Sequence, residues 1–316
     1  MARFLGPLRA AFADGDPERM LAEYVRARRR PLSALPLLLV QALYPVQELL
    51  QVLPELDRRI ARDGLPAASR WLLGTYVRNW RCEVPGPTRE ALRSGPVLVY
   101  GDHLSLLTPF LVAAAVDRPD LRIVSAAYVH HFLPSYTAYS LPVSTPSARL
   151  EGWTWSDLRG IVETKLLELV ASRELFGQGR ERNRAALEAG GRHLREGGCV
   201  LIAPAGGPIR RRPWYPGIGH IVAETLRESA PPLRLVPYRE LHLSPHRVTV
   251  SLRRGPVARF ERRVLCRRPA AIRLGQPVPA EVLVPRGAGP EEITQRLEAH
   301  YRGLFSAPGR RGRARP

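Results

Sequence analysis

A histidine follows directly on a short apolar run in this chain. Val97, Leu98, Val99 and Tyr100 have the composition of a buried strand, Gly101 permits a sharp exit, and Asp102 and His103 come next. Residues 104–116 then carry the apolar spacing of a helix. The pattern predicts His103 at the carboxyl end of a strand, the edge at which open α/β sheets bind ligands. An imidazole there is better placed for chemistry than one in mid-helix. The alternative is a histidine whose single hydrogen bond is only structural.

A second stretch has the same form. Residues 199–203 read as a strand that ends in the turn Pro204-Ala205-Gly206-Gly207-Pro208, and Arg210, Arg211 and Arg212 follow. A glycine-rich turn at a strand end presents backbone N–H groups, and adjacent guanidinium groups supply bidentate contacts, so this combination suits a phosphate or carboxylate. A solvated turn that merely carries charge is the alternative; it loses ground because the turn leaves the same type of strand edge as His103.

The elements needed to position these residues are legible as an alternation. Strand-like runs fall at 96–100, 121–126, 141–144, 199–203, 233–237 and 247–253, and helical spacing at 104–116, 157–175, 182–195 and 217–227 separates most of them. That order predicts an α/β fold with a single sheet and crossover helices. Residues 291–305 read as a closing amphipathic helix, and 310–316 as a short basic tail. The division expected is an N-terminal helical segment over 1–85, an α/β domain over 86–307 and a basic tail over 308–316.

Ahead of the alternation, Arg26, Arg28, Arg29 and Arg30 precede an apolar stretch at 32–53 that Pro36 and Pro45 interrupt. A spanning helix needs about 20 predominantly apolar residues. A segment lying in a membrane interface fits better, with the arginines on headgroup phosphates and Trp71, Tyr76 and Trp80 as anchors. A helix packed on the core satisfies the same periodicity.

Composition narrows the partners. With 316 residues and 45% hydrophobic content the chain can bury a substantial core, and its net charge of +19 comes almost wholly from arginine, Lys165 being the one lysine. A basic surface favours anionic lipid headgroups, an acidic carrier protein or coenzyme phosphates. No recognition motif for nucleic acid accompanies the charge, and no specific nucleic-acid partner is expected. Cys82, Cys199 and Cys266 are odd in number and widely spaced, which supports neither a disulfide framework nor a metal site and points to a reducing compartment. Asp14, Asp16 and Glu18 interrupt the first 20 residues, so no secretory signal is expected.

Taken in order, the two stretches resemble the glycerolipid acyltransferases of the lysophosphatidate (1-acylglycerol-3-phosphate) acyltransferase type. The family's N-H-x-x-x-x-D motif aligns with Asp102-His103 through Thr108-Pro109, and its F-P-E-G-T motif with Ala203-Pro204-Ala205-Gly206-Gly207. Leu194 through Val200 matches the preceding L-x-x-G-x-x-V, Pro216 through His220 a later helix start, Val236-Pro237-Tyr238 a V-P-V motif, and Arg273 through Pro277 a late G-x-P strand. The resemblance covers roughly residues 90–305.

It implies a glycerol-3-phosphate acyltransferase-like fold. The implied reaction moves a fatty acyl group from an acyl-CoA or acyl-carrier thioester to a hydroxyl of a lysophospholipid or similar acceptor. No metal or other cofactor is implied, since the thioester is already activated. His103 would be the general base; Arg149, Arg210, Arg211 and Arg212 would hold the acidic groups of donor or acceptor, with Pro204, Gly206 and Gly207 as further substrate-binding residues. The protein would then be cytoplasmic and peripheral on the inner face of a membrane.

Two positions depart from the pattern: Thr108 stands where the family has the aspartate that orients the histidine, and Ala205 where it has a glutamate. Asp102 could substitute for the lost charge only if the chain bends at Gly101, because neighbouring strand residues point to opposite faces. The reading of a different class is a catalytically silent relative that binds lipid or serves as a scaffold. His130 and His131 read as loop histidines without a special role.

Overall fold

The computed structural model describes residues 2–30, 37–38, 41, 45–77, 79–103, 105–144, 179–206, 214–227, 232–243, 251–252, 259–260, 263–264 and 266–305. Helices dominate the described start of the chain, among them α1 (Ala2–Ala13), α2 (Pro17–Arg28), α3 (Val46–Asp63) and α4 (Leu65–Leu72). The start of α2 is locally encoded, with Asp16 accepting a hydrogen bond from the Arg19 N–H at 2.9 Å and Pro17 in the first turn. Leu50, Leu53, Leu56 and Ile60 make a buried stripe at helical spacing along α3.

Next come β1 (Trp80–Glu83), α5 (Gly86–Arg93), β2 (Val97–Gly101), α6 (Thr108–Val116), β3 (Leu121–Ala126) and β4 (Ser140–Val143). The chain continues through α7 (Gly179–Arg195), β5 (Cys199–Ile202), α8 (Gly217–Thr225), β6 (Arg234–Leu241), β7 (Ala270–Leu274), β8 (Val278–Pro279) and α9 (Pro290–Phe305). The strands form one mixed, mostly parallel sheet in the order β1-β7-β6-β2-β5-β3-β4, with β8 beside β6. β7 and β8 run antiparallel to β6; the other neighbours are parallel. All five residues of β2 are buried, as a central strand covered on both faces requires.

The two faces have separate cores. Val97 and Val99 of β2 join α6, α3, α4 and the first two helices in one, whereas Leu98 and Tyr100 join α7, α8 and α9 in the other. At the amino-terminal edge Arg118 spans the central strands, donating to the Gly95 carbonyl at 2.7 Å and the Gly197 carbonyl at 2.9 Å.

The α/β class and single sheet agree with the sequence reading, with several differences. Residues 80–83, expected within the N-terminal segment, are a strand of the sheet paired with β7. The helix expected over 104–116 begins at Thr108, because Ser105 closes a turn ahead of it and Pro109 occupies its first turn. The strand expected to end at Pro237 runs on to Leu241. Of the strand expected over 247–253, only Ser251 and Leu252 are described, and they are helical. The helix expected over 157–175 and the tail lie outside the described residues. From Val46 onward, the stretch read as interfacial is a helix packed on the core, and Trp71, Tyr76 and Trp80 also pack partly buried against it.

Candidate active site

The central strands β2 and β5 are parallel neighbours, with Tyr100 opposite Ile202. His103 and Ala205 therefore each lie three residues beyond a paired position, on adjacent strands about 4.8 Å apart. The helices that follow leave to opposite faces, α6 into one core and α8 into the other. In this class of sheet, the carboxyl edge between helices that diverge in this way is where ligands bind.

His103 keeps part of its surface accessible, but its Nδ1 is buried and without a hydrogen-bond partner of normal geometry. Burial pushes its pKa down to about 4, against a smaller upward pull from the Ser105 backbone. At neutral pH the imidazole is uncharged.

Thr108, at the start of α6, lies 2% exposed and stitches the turn that follows His103. Its Oγ1 is 2.8 Å from the Ser105 carbonyl oxygen and 3.3 Å from the Ser105 amide nitrogen. The same Oγ1 is hydrogen-bonded to Oε1 of Glu240, a buried residue of β6. Sequence reasoning missed Glu240. Its signal was the alternation Val236, Tyr238, Glu240, which continues one strand face past Pro237; the charges of Arg239 and Glu240 read instead as the exit from the strand.

Beside Glu240, the Tyr238 hydroxyl is buried without a hydrogen-bond partner, and its pKa is raised well above that of an ordinary phenol by burial and then by the Glu240, Tyr301 and Asp102 charges. Asp102 approaches Tyr301 of α9, whose phenol is likewise raised, chiefly by burial and next by the Asp102 charge. Tyr301 belongs to the core beneath Leu98 and Tyr100, whereas Tyr238 belongs to that beneath Val97 and Val99. Although the two phenols belong to different cores, each feels the charges of both Asp102 and Glu240.

Of the turn after β5 that was expected to cradle an anion, residues 204–206 are described. Pro204 and Ala205 are buried, and Gly206 adopts a positive φ of 62° that suits glycine. Its amide donates to the Ala203 carbonyl at 3.0 Å, and the Tyr215 amide donates to the Pro204 carbonyl at 3.0 Å. The Gly206 N–H is thus committed within the turn rather than offered to a ligand. Gly207, Arg149, Arg210, Arg211 and Arg212 lie outside the described residues.

Other histidines have defined partners. His130 Nε2 is 2.7 Å from Ser140 Oγ, itself 2.7 Å from Ser125 Oγ, and His131 stacks against Phe12 at 4.7 Å. His300 Nδ1 is 2.9 Å from the Tyr100 hydroxyl.

In the basic cluster, Arg26 pairs with Glu23 and Arg28 donates to Gln47. Arg28 and Arg29 also line a cavity of about 240 Å³ with Val25, Leu38 and Gln47. Among the described residues no helix is long and apolar enough to cross a membrane, and no group of three or more His, Cys, Asp or Glu residues could hold a metal ion. Cys82, Cys199 and Cys266 are free thiols; burial pushes Cys82 up to about 11 and Cys199 up to about 12.

Neither a scan of the sequence against protein-family models nor a search of curated proteins found a match.

Proposed function

We propose that this protein is a membrane-associated acyltransferase with a glycerol-3-phosphate acyltransferase-like fold, acting at the carboxyl edge of β2. The observation that carries the reading is an imidazole held neutral at that edge, on a turn bonded to a buried carboxylate. In the proposed reaction the acceptor hydroxyl oxygen forms a bond to the thioester carbonyl carbon while His103 takes the hydroxyl proton. The C–S bond then breaks, and the thiolate leaves with that proton. General-base assistance of this kind is worth about 10²–10⁴-fold.

The donor would be an acyl-CoA or acyl-carrier thioester and the acceptor a lysophospholipid or similar lipid, with the arginine-rich surface facing anionic lipid on the cytoplasmic side. The purified protein, given long-chain acyl-CoA and a lysophospholipid, is expected to form the diacyl product, and His103→Ala to abolish it. Absence of product across acyl-CoA and acyl-carrier donors and several lipid acceptors would overturn the reading. One observation favours a silent lipid-binding relative instead: Thr108 carries no charge with which to balance an imidazolium, and the Gly206 amide is already bonded. Retained lipid binding without transfer would select that reading.

A further inference from the structure

An imidazole that accepts a proton inside a protein needs a negative charge close by, because the charged form is the one that burial penalises. Among the described residues, two carboxylates stand at this edge. Asp102, just past the end of β2, acts on Tyr301 and on Tyr238. Glu240 is hydrogen-bonded through Thr108 Oγ1 to the turn that follows His103. The register pairs Gly101 with Tyr238, so 103 and 240 are each two residues further along parallel neighbours. Val236, Tyr238 and Glu240 alternate onto the face that also receives Val97 and Val99.

The protons around Thr108 can be accounted for. Its hydroxyl has one hydrogen and two neighbours that could accept it, the Ser105 carbonyl and the Glu240 carboxylate. The Ser105 carbonyl already accepts the Thr108 N–H at 3.1 Å, and the Ser105 N–H reaches Oγ1 at 3.3 Å. The Ser105 carbonyl can accept a second hydrogen bond, but an ionised carboxylate is the stronger acceptor for the single hydroxyl hydrogen. This arrangement suits an ionised carboxylate and fixes it against the turn that carries His103.

We propose that Glu240 is the positioning and counter-charge residue for His103, acting from β6 through the Thr108 hydroxyl in place of a carboxylate at position 108. The inference rests on the reading that His103 takes up a proton in the reaction. Among the described residues, the titratable groups facing the site are Asp102 just past β2, Tyr238 and Glu240 from β6, and Tyr301 and His300 from α9, while α6 contributes the hydroxyl of Thr108.

The test is histidine NMR on the full chain, with the His103 signal assigned by its loss in His103→Gln. In Glu240→Gln, which keeps a partner for the Thr108 hydroxyl, the His103 midpoint is expected to fall by about one pH unit or more. An unchanged midpoint in a folded Glu240→Gln protein overturns the proposal. Should Glu240→Gln not fold, linkage supplies the reciprocal measurement: the Glu240 carboxyl midpoint, followed by ¹³C, is expected to differ between wild type and His103→Gln, and an identical midpoint overturns the proposal. Transfer assays on the same samples separate the two ideas. Coupled titration without transfer by the wild type leaves the charge pairing standing and removes the acyltransferase reading; transfer without coupling does the reverse.

Discussion

Gly101 and Tyr238 stand opposite each other in β2 and β6, and a Cβ on Gly101 would lie 2.3 Å from the Tyr238 carbonyl oxygen. It would also meet the Tyr238 ring carbons Cδ1 and Cδ2 at 3.0 Å. Glycine is required here by the approach of a neighbouring backbone, which cannot swing aside as a flexible side chain can. Gly101→Ala is expected to destabilise the fold by about 1–3 kcal/mol, the range for overpacking, and to displace the residues that follow, His103 among them. Urea unfolding checks the first part; stability equal to wild type would mean that β2 and β6 separate more easily than this packing implies.

The N-terminal helices share a core with the sheet: Leu53, Leu56 and Ile60 of α3 belong to the same buried cluster as Val99, Leu111 and Ile272. Removal of residues 1–60 is therefore expected to leave an aggregating or unfolded remainder, and Ile60→Ala to cost about 2–5 kcal/mol. A soluble truncated chain with a cooperative thermal transition would show the segment to be separable. Membrane binding is better tested by charge than by deletion. Arg29→Glu with Arg30→Glu is expected to weaken sedimentation with anionic vesicles at low salt while leaving thermal stability within about 0.5 kcal/mol, the usual range for surface changes.

His103 also makes stability depend on pH. Its folded pKa of about 4 lies below the ordinary 6.5, so as pH falls through 6.5 the unfolded chain takes up a proton that the folded chain does not. Stability is fully present above 6.5 and is lost progressively down to about 4, by up to roughly 3 kcal/mol. Denaturation at pH 7.5 and pH 5 is expected to show this loss in wild type and a smaller one in His103→Gln. Equal losses would assign the acid sensitivity to other groups.

How far these features could be read from sequence depended on where polarity interrupts a pattern. β3 and β5 stand out as apolar runs between breakers, and the α7, α8 and α9 periodicities follow apolar stripes, so the α/β class and the placing of His103 at a strand end were legible. Trp80–Glu83 was not, since its alternating exposure and two charges suit an exposed loop equally well until β7 is known to pair with it. The helix start at Thr108 depends on the Ser105 turn, a local hydrogen-bond pattern without an apolar signature. Glu240 was hidden for a physical reason: a buried carboxylate in a strand is stabilised by a partner 132 residues away, and no window along the chain contains both.

That long-range contact also alters what a carboxylate at position 108 would do. Considered from sequence, Thr108→Asp restores a missing counter-charge and should raise transfer. In the fold it places a second carboxylate directly against Glu240 in a buried site, where two like charges cannot both ionise cheaply. Thr108→Asp alone is accordingly expected to destabilise the protein by on the order of 3 kcal/mol at pH 7, with part of the loss recovered at pH 5 as one carboxyl binds a proton. Thr108→Asp combined with Glu240→Gln leaves a single carboxylate in the pair, now on α6 rather than β6. It is expected to be more stable than Thr108→Asp, with a favourable coupling of about 1–3 kcal/mol across the double-mutant cycle. Transfer should follow the same order. Strictly additive effects would mean that the carboxylates at 108 and 240 do not meet, and a stable, faster Thr108→Asp single variant would show that the site can hold both charges.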